Sequence, residues 1–181
     1  VLPSKICAFG RTYAEHAAEL GNEVAKEPLM FLKPSTSVAG PGDVIRLPEL
    51  SSDVQHEAEL AVVIGSLCKD VVAERAHEVI LGYTCANDVS ARDWQKLPEL
   101  GGGQWCRGKT FDTFAPLGPV LVTRDEIPNP NSLRIRTILN GDTLQDWNTD
   151  DMIFDVPAII EFLSASTTLL PGTVILTGTP H

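Results

Sequence analysis

Hydrophobic residues in this chain come in short β-branched runs divided by proline and glycine, and few stretches carry a helical period. The run from Leu60 to Ile64 is continuous, which predicts a buried strand entering the core. Just before it, Glu57 and Glu59 stand two residues apart, so in a strand both carboxylates leave the same face. A helical segment over Ala73 to Ile80 leads into Leu81 to Ala86, a second strand. Ile6 to Phe9, Val44 to Leu47 and Leu117 to Val122 read as further short strands. Leu29 to Lys33 reads as one bracketed by Pro28 and Pro34, which cannot donate to a ladder. Leu133 to Leu139 alternates apolar and polar residues, and the Asn140-Gly141-Asp142 that follows is a type I′ hairpin signal. Thr12 with Glu15 forms a capping box and Gly21 a C-cap, predicting a short helix between them. Met152 to Ala165 repeats Ile153, Val156, Ile160 and Leu163 at helical spacing behind a cap at Asn148 to Asp151, with a break or kink expected at Pro157. Many short strands and few short helices give an α+β class that is β-dominated.

Composition narrows this picture. The chain's 181 residues suffice for one domain with a sizeable core and are short for two, so residues 1–181 are expected to form a single unit. Acidic side chains outnumber basic ones to a net charge of −10, which removes the cationic footprint that nucleic acid or anionic lipid requires. No apolar run is long enough to span a membrane, and no secretory segment opens the sequence. Cys7, Cys68, Cys85 and Cys106 form no C-x-x-C pair and have no histidine at zinc spacing. They are expected as buried or half-buried free thiols in a reducing, cytoplasmic setting.

The chemistry starts from the two glutamates. Carboxylates side by side at the mouth of a buried strand repel each other and lose hydration, so a positive charge belongs between them. A divalent cation is the simplest candidate, and Asp88, at the end of the second strand, offers a third carboxylate. Three hard oxygen ligands favour Mg²⁺ or Mn²⁺, with Ca²⁺ as a stand-in, over Zn²⁺. His56 alternates with the glutamates and is expected to face away, in a supporting contact at most. His16 and Glu19 share a face of the first helix, a spacing that suits a base with its orienting carboxylate and equally a plain surface pair. His77, with no matching acid, reads as a surface residue. Lys96 to Gly103, flanked by Trp94 and Trp105 and loosened by three glycines, is either a lid or an ordinary surface loop. Gly103-x-x-x-x-Gly108-Lys109-Thr110 matches a bare phosphate-loop pattern, but Pro116 and Pro119 follow it without a helical period, so context rejects the match.

Four segments, HEAELAVVIG, YTCANDVSARDWQ, GKTFDTFAPLGP and VILTGTP, occur in an order that resembles the small single-domain form of the fumarylacetoacetate hydrolase family, over Ile6 to Pro180. The resemblance implies a rolled mixed β-sheet, usually a homodimer, and metal-dependent chemistry on small 2-oxo or β-diketo acids. It implies Glu57, Glu59 and Asp88 as metal ligands, His16 oriented by Glu19 as the water-activating dyad, and Lys109 as the cation that stabilises a developing enolate. Arg92, Gln95 and Thr179 become substrate contacts, and Lys96 to Gly103 a lid. Larger members carry one more ligating aspartate where Ile6-Cys7-Ala8-Phe9 has none, so three protein ligands are expected. Family members also continue past the position of His181 with a glycine-rich loop and further strands. The implied reaction is hydrolysis of an acylpyruvate-type C–C bond. Tautomerisation or decarboxylation of oxaloacetate, or isomerisation of a 2-hydroxy-dienedioate, would use the same enolate, with the mitochondrial matrix as an alternative location. From a different class, the chain could be an inactive, metal-stabilised interaction module. The intact His16, Glu19 and Lys109 argue against that.

Overall fold

The computed structural model describes residues 2–14, 26–100 and 103–180. Its main sheet has seven strands in the order β2 (Leu29–Lys33), β1 (Ile6–Gly10), β11 (Val174–Leu176), β5 (Ala58–Ile64), β6 (Ile80–Asn87), β8 (Ala115–Thr123) and β3 (Val38–Ala39). The sheet is mixed, since β1 runs parallel to β11 and β3 to β8, while the remaining pairs are antiparallel. Its two edge strands, β2 and β3, are consecutive in the chain and joined by the single 3-10 turn Ser35–Ser37. Edges that are six places apart in the ladder yet so close in sequence require the sheet to roll up on itself. The result is a curled half-barrel with a few short helices.

Rolling explains which side chains went where. The inner layer takes Ala8, Ala61, Ala86 and Ala115 with Ile6, Phe31, Val174 and Leu176, because facing walls of a narrow roll leave room mainly for small residues. The outer layer takes Cys7, Phe9, Leu60, Val62, Ile64, Tyr83 and Ile175, and is covered by helix Val156–Ser166 through Val156, Ile159, Ile160 and Leu163. Both faces of β1 and β5 are therefore buried, which is why their sequences run apolar without alternation. Each of those helix side chains is worth about 1.5–3 kcal/mol in area removed from water.

Outside the main sheet, β9 (Arg134–Leu139) and β10 (Asp142–Asn148) form a hairpin. Asn140 and Gly141 both have positive φ, 54° and 94°, as the expected type I′ turn demands. The short β4 (Val54–Gln55) pairs with β7 (Ser90–Ala91). Among the described residues the helices are α1 (Ala76–Val79), α2 (Arg92–Lys96), α3 (Trp105–Lys109) and α4 (Val156–Ser166). None is long and apolar enough to cross a membrane.

Five expectations are corrected. Val44 to Leu47 is not a strand: Val44 and Leu47 are exposed, and a segment with no ladder partner gains nothing from extension. Only one α turn, α1, forms between a 3-10 turn at Ala73–Arg75 and β6, which begins at Ile80. Pro157 does not break a helix but sits in its first turn, where a missing N–H costs nothing. Asp155, not Asn148, caps that helix by accepting from Ala158 N at 2.9 Å, while Asn148 caps the separate turn Thr149–Asp151. Finally, of the four free cysteines Cys7 and Cys68 are buried, but Cys85 and Cys106 are exposed. The capping box at Glu15, the helix to Gly21 and the dyad His16–Glu19 lie outside the described residues, as do Gly101 and Gly102 of the glycine triplet.

Candidate metal centre

Strand pairing brings the acidic residues together. β6 runs antiparallel to β5 with Asn87 opposite Ala58, so Asp88 follows directly beside Glu57, and its N–H donates to the Glu57 carbonyl at 2.9 Å. Glu57, just ahead of β5, and Glu59 within it share the inward face with Ala61, as the two-residue period requires. One carboxylate oxygen from each of Glu57, Glu59 and Asp88 falls within 4.8 Å of the others, and all three residues are buried.

Each carboxylate is held from outside by its own partner. Asp88 Oδ1 accepts from Lys33 Nζ. Glu57 Oε1 accepts from Arg92 Nη2. Glu59 Oε2 accepts from the Gly178 N–H at 2.8 Å. Each carboxylate keeps a second oxygen. Lys109 Nζ donates to two of them, Glu57 Oε2 at 2.7 Å and Asp88 Oδ2 at 2.6 Å. The third, Glu59 Oε1, is buried with no hydrogen-bond partner among the described residues. A buried, unpaired carboxylate oxygen is costly, and a cation beside it is what the donor set lacks. Three carboxylates with fixed outer oxygens fit a hard divalent ion.

Charge balance follows the same geometry. Burial, then the neighbouring Asp88 and Glu57, push the Glu59 carboxyl well above its ordinary range. Burial would also raise Asp88, but the Lys33 and Lys109 ammoniums outweigh it and hold that carboxyl below its ordinary value. Burial lowers Lys33 against the pull of Asp88. For Lys109 burial acts in the same direction, yet Glu57 and Asp88 prevail and keep the ammonium above its ordinary value.

The remaining candidates surround this cluster. Arg92 opens α2 and Gln95 lies one turn on; Arg92 Nη1 donates to Gln95 Oε1 at 2.7 Å, and Arg92 Nε to Gln55 Oε1 at 2.9 Å. The guanidinium thus braces Glu57 as well as facing Gln95, which is buried. Lys109 ends α3, whose Gly108 has no space for a Cβ, since one would stand 2.6 Å from the Ala91 carbonyl. That close packing of α3 on α2 and β7 sets Lys109 into the roll. Among the described residues a 3-10 turn at Pro98–Leu100 comes before the Gly103–Thr110 pattern, and β8 is the next element after it, consistent with its rejection as a phosphate loop. β11, antiparallel to β5, delivers Thr177 to Pro180 alongside Glu57 to Leu60. Thr179 Oγ1 there accepts from Gln145 Nε2 at 2.9 Å. His56 is half-buried and meets the same glutamine, Nδ1 to Oε1 at 3.3 Å, and His77 is exposed.

Two participants were missed from sequence. Lys33 carries a signal in retrospect: Phe31 and Lys33 alternate with Met30 and Leu32, and the structure buries the first pair and exposes the second. Nothing in the alternation says which pair turns inward. Gln145 carries no local signal at all.

The chain belongs to the fumarylacetoacetate hydrolase family: the family described as Fumarylacetoacetate (FAA) hydrolase C-terminal matches residues 5–181. It is 51% identical over 178 residues to the mitochondrial oxaloacetate tautomerase fahd2 of Xenopus laevis, a match covering 98% of this chain and 55% of that protein. The chain thus spans little more than half of that relative's length. The crystal structure of 5-carboxymethyl-2-hydroxymuconate delta-isomerase from Mycobacterium smegmatis is 49% identical, with a TM-score of 0.89, over 100% of this chain and 69% of that one. Maleylpyruvate hydrolase from Sphingobium sp. SYK-6, solved with manganese(II) and pyruvate, is 36% identical with a TM-score of 0.83, over 99% of this chain and 61% of that one.

Proposed function

We propose that this chain carries the active centre of a divalent-metal-dependent enzyme that forms an enolate from a small 2-oxo acid, acting as a keto–enol tautomerase or isomerase. The observation that carries the reading is the convergence of three buried carboxylates, each with one oxygen tied outward, around a cationic Lys109. The branch is favoured by the identities of 51% and 49% to a tautomerase and an isomerase. Glu57, Glu59 and Asp88 would hold Mg²⁺ or Mn²⁺, which when bound supplies Lewis-acid polarisation of the 2-oxo group. Lys109 stabilises the negative charge that develops on the enolate oxygen. His16, oriented by Glu19, moves the proton between the carbon beside the carbonyl and solvent. Thr179 and Arg92 contact the substrate carboxylate, Gln95 its carbonyl or a water, and the segment Lys96 to Gly103 closes over it. Three carboxylates are offset by Lys33, Lys109 and Arg92, so a divalent ion leaves the site positive, as an anionic substrate requires.

A second reading is hydrolysis of an acylpyruvate-type C–C bond, in which His16 activates water for addition to the distal carbonyl and pyruvate leaves as its enolate. The fold shared with maleylpyruvate hydrolase supports it. The test is an ultraviolet assay of enol decay on oxaloacetate and on acylpyruvates, with pyruvate quantified separately, in Mg²⁺ or Mn²⁺ and in EDTA. Metal-dependent enol decay without pyruvate is expected. Stoichiometric pyruvate from an acylpyruvate would replace the first reading by the second. Activity retained in EDTA or in a folded Glu59→Ala variant would overturn both.

A further inference from the structure

The strand residues of hairpin β9–β10 are exposed or half-exposed with one exception, Gln145. A β-bulge between Thr143 and Gln145 interrupts the hairpin ladder at this point. Bulges re-aim a side chain at the expense of a ladder bond and recur beside functional sites.

Its amide is fully engaged. Oε1 accepts from Ala58 N at 3.0 Å and from Thr137 Oγ1 at 2.8 Å, and lies 3.3 Å from His56 Nδ1. Nε2 donates to Thr179 Oγ1 at 2.9 Å and to the Pro180 carbonyl at 2.8 Å. Two of these partners admit one polarity only. The Ala58 N–H can only donate and so faces the amide oxygen, while the Pro180 carbonyl can only accept and so faces the NH₂. The amide therefore has a single chemically consistent orientation. It follows that Thr179 Oγ1 is an acceptor toward Gln145, and its one proton is left for another partner.

The backbone on either side of that contact is tied to the carboxylate cluster. Gly178, its neighbour, donates to Glu59 Oε2, and Ala58 lies between the two glutamates. We propose that Gln145 is a positioning residue that presents Thr179 Oγ1 to the site as a hydrogen-bond donor for the carboxylate of the 2-oxo acid. This rests on the reading of Thr179 as a substrate contact. A hydroxyl that accepts from Gln145 keeps its proton off that side, which biases it toward donating to the ligand before the substrate arrives.

The test is calorimetric titration of pyruvate into the Mn²⁺-saturated full chain. Thr179→Val, Gln145→Glu, Gln145→Met and the T179V/Q145E double variant are compared with the unaltered protein, each checked for folding by thermal melting. Gln145→Glu keeps the oxygen that Ala58 and Thr137 use but puts an acceptor against Thr179, which turns the hydroxyl proton back. Gln145→Met removes the amide without adding charge. T179V is expected to weaken pyruvate binding about tenfold, the size of one hydrogen bond to a charged group. Q145E and Q145M are expected to do likewise, with Mn²⁺ affinity kept within about twofold, and Q145E to weaken binding less in the T179V background than in the unaltered protein. Charge repulsion by the new carboxylate is the same in both backgrounds and cancels in the cycle. Pyruvate affinity unchanged in T179V would remove the substrate-contact reading of Thr179. Affinity lowered in T179V, but lowered by Q145E to the same extent in both backgrounds, would leave that reading standing and overturn the role given to Gln145.

Discussion

Lys33 and Asp88 form an ion pair in which neither side chain reaches solvent. Lys33 comes from the last position of β2 and Asp88 from just beyond β6, strands that lie four places apart in the sheet order. The contact exists because the sheet rolls. Replacing Lys33 by Met leaves Asp88 with Lys109 as its one ammonium, and is expected to cost about 3 kcal/mol in urea denaturation. Asp88 also sets the acid limit. Its depressed carboxyl contributes stability that is present above the ordinary value of 3.8 and lost as pH falls through its lower folded value. In K33M that loss should begin at higher pH. Matching acid limbs in the two proteins would show that the pair carries no such weight.

Glu59 has the opposite sign. Burial and the adjacent carboxylates raise it well above 4.5, so the folded chain holds this proton more tightly than the unfolded one. The associated stability is full below the unfolded value and is lost as pH rises through the raised folded value. Glu59→Gln has nothing to ionise. In EDTA at neutral pH it is expected to be more stable than the unaltered chain by about 1–3 kcal/mol, and to bind Mn²⁺ more than about 100-fold more weakly. Chemical melts across pH, with Mn²⁺ titrations, check both statements.

For Lys109→Met the expectation separates chemistry from binding. The ammonium stands between Glu57 and Asp88, and its removal frees their oxygens for a metal ion while deleting the charge that meets the enolate. Mn²⁺ affinity should be retained, and kcat should fall by about 10²–10³. A variant that lost Mn²⁺ binding in parallel would assign Lys109 to the architecture of the cluster instead.

Gly178 has a φ of +94°, and a Cβ there would stand 1.8 Å from Thr12 Oγ1. That hydroxyl is itself buried and donates to the Thr177 carbonyl at 2.8 Å. Gly178→Ala is therefore expected to destabilise by at least about 2 kcal/mol. By shifting the N–H that holds Glu59, it should also weaken Mn²⁺ binding by about tenfold. Wild-type stability in G178A would contradict the placement of this loop.

Much of this was legible in one dimension. The continuous run at Leu60 to Ile64, the two-residue spacing of Glu57 and Glu59 and the Asn140-Gly141 turn each depend on local periodicity, and all three appear as read. Asp88 could be joined to the glutamates because two apolar strands in succession tend to pair. The errors were local rules overridden by context. Val44 to Leu47 had strand character but no partner strand, and Pro157 looked like a break because the true cap at Asp155 lies inside the apolar period.

Lys33 and Gln145 were out of reach for a different reason. A strand's alternation divides its side chains into two sets but cannot say which set faces inward; rolling the sheet settles that for β2 and buries a lysine in preference to Leu32. The bulge beside Gln145 changes a register that no neighbouring residue announces, and its five partners come from three separate stretches of the chain. Spacing along the backbone therefore identified the acids that repel one another. The cations and dipoles that hold them in place came from closure of the sheet, because compensating a buried charge depends on distances through space and on nothing that is periodic along the chain.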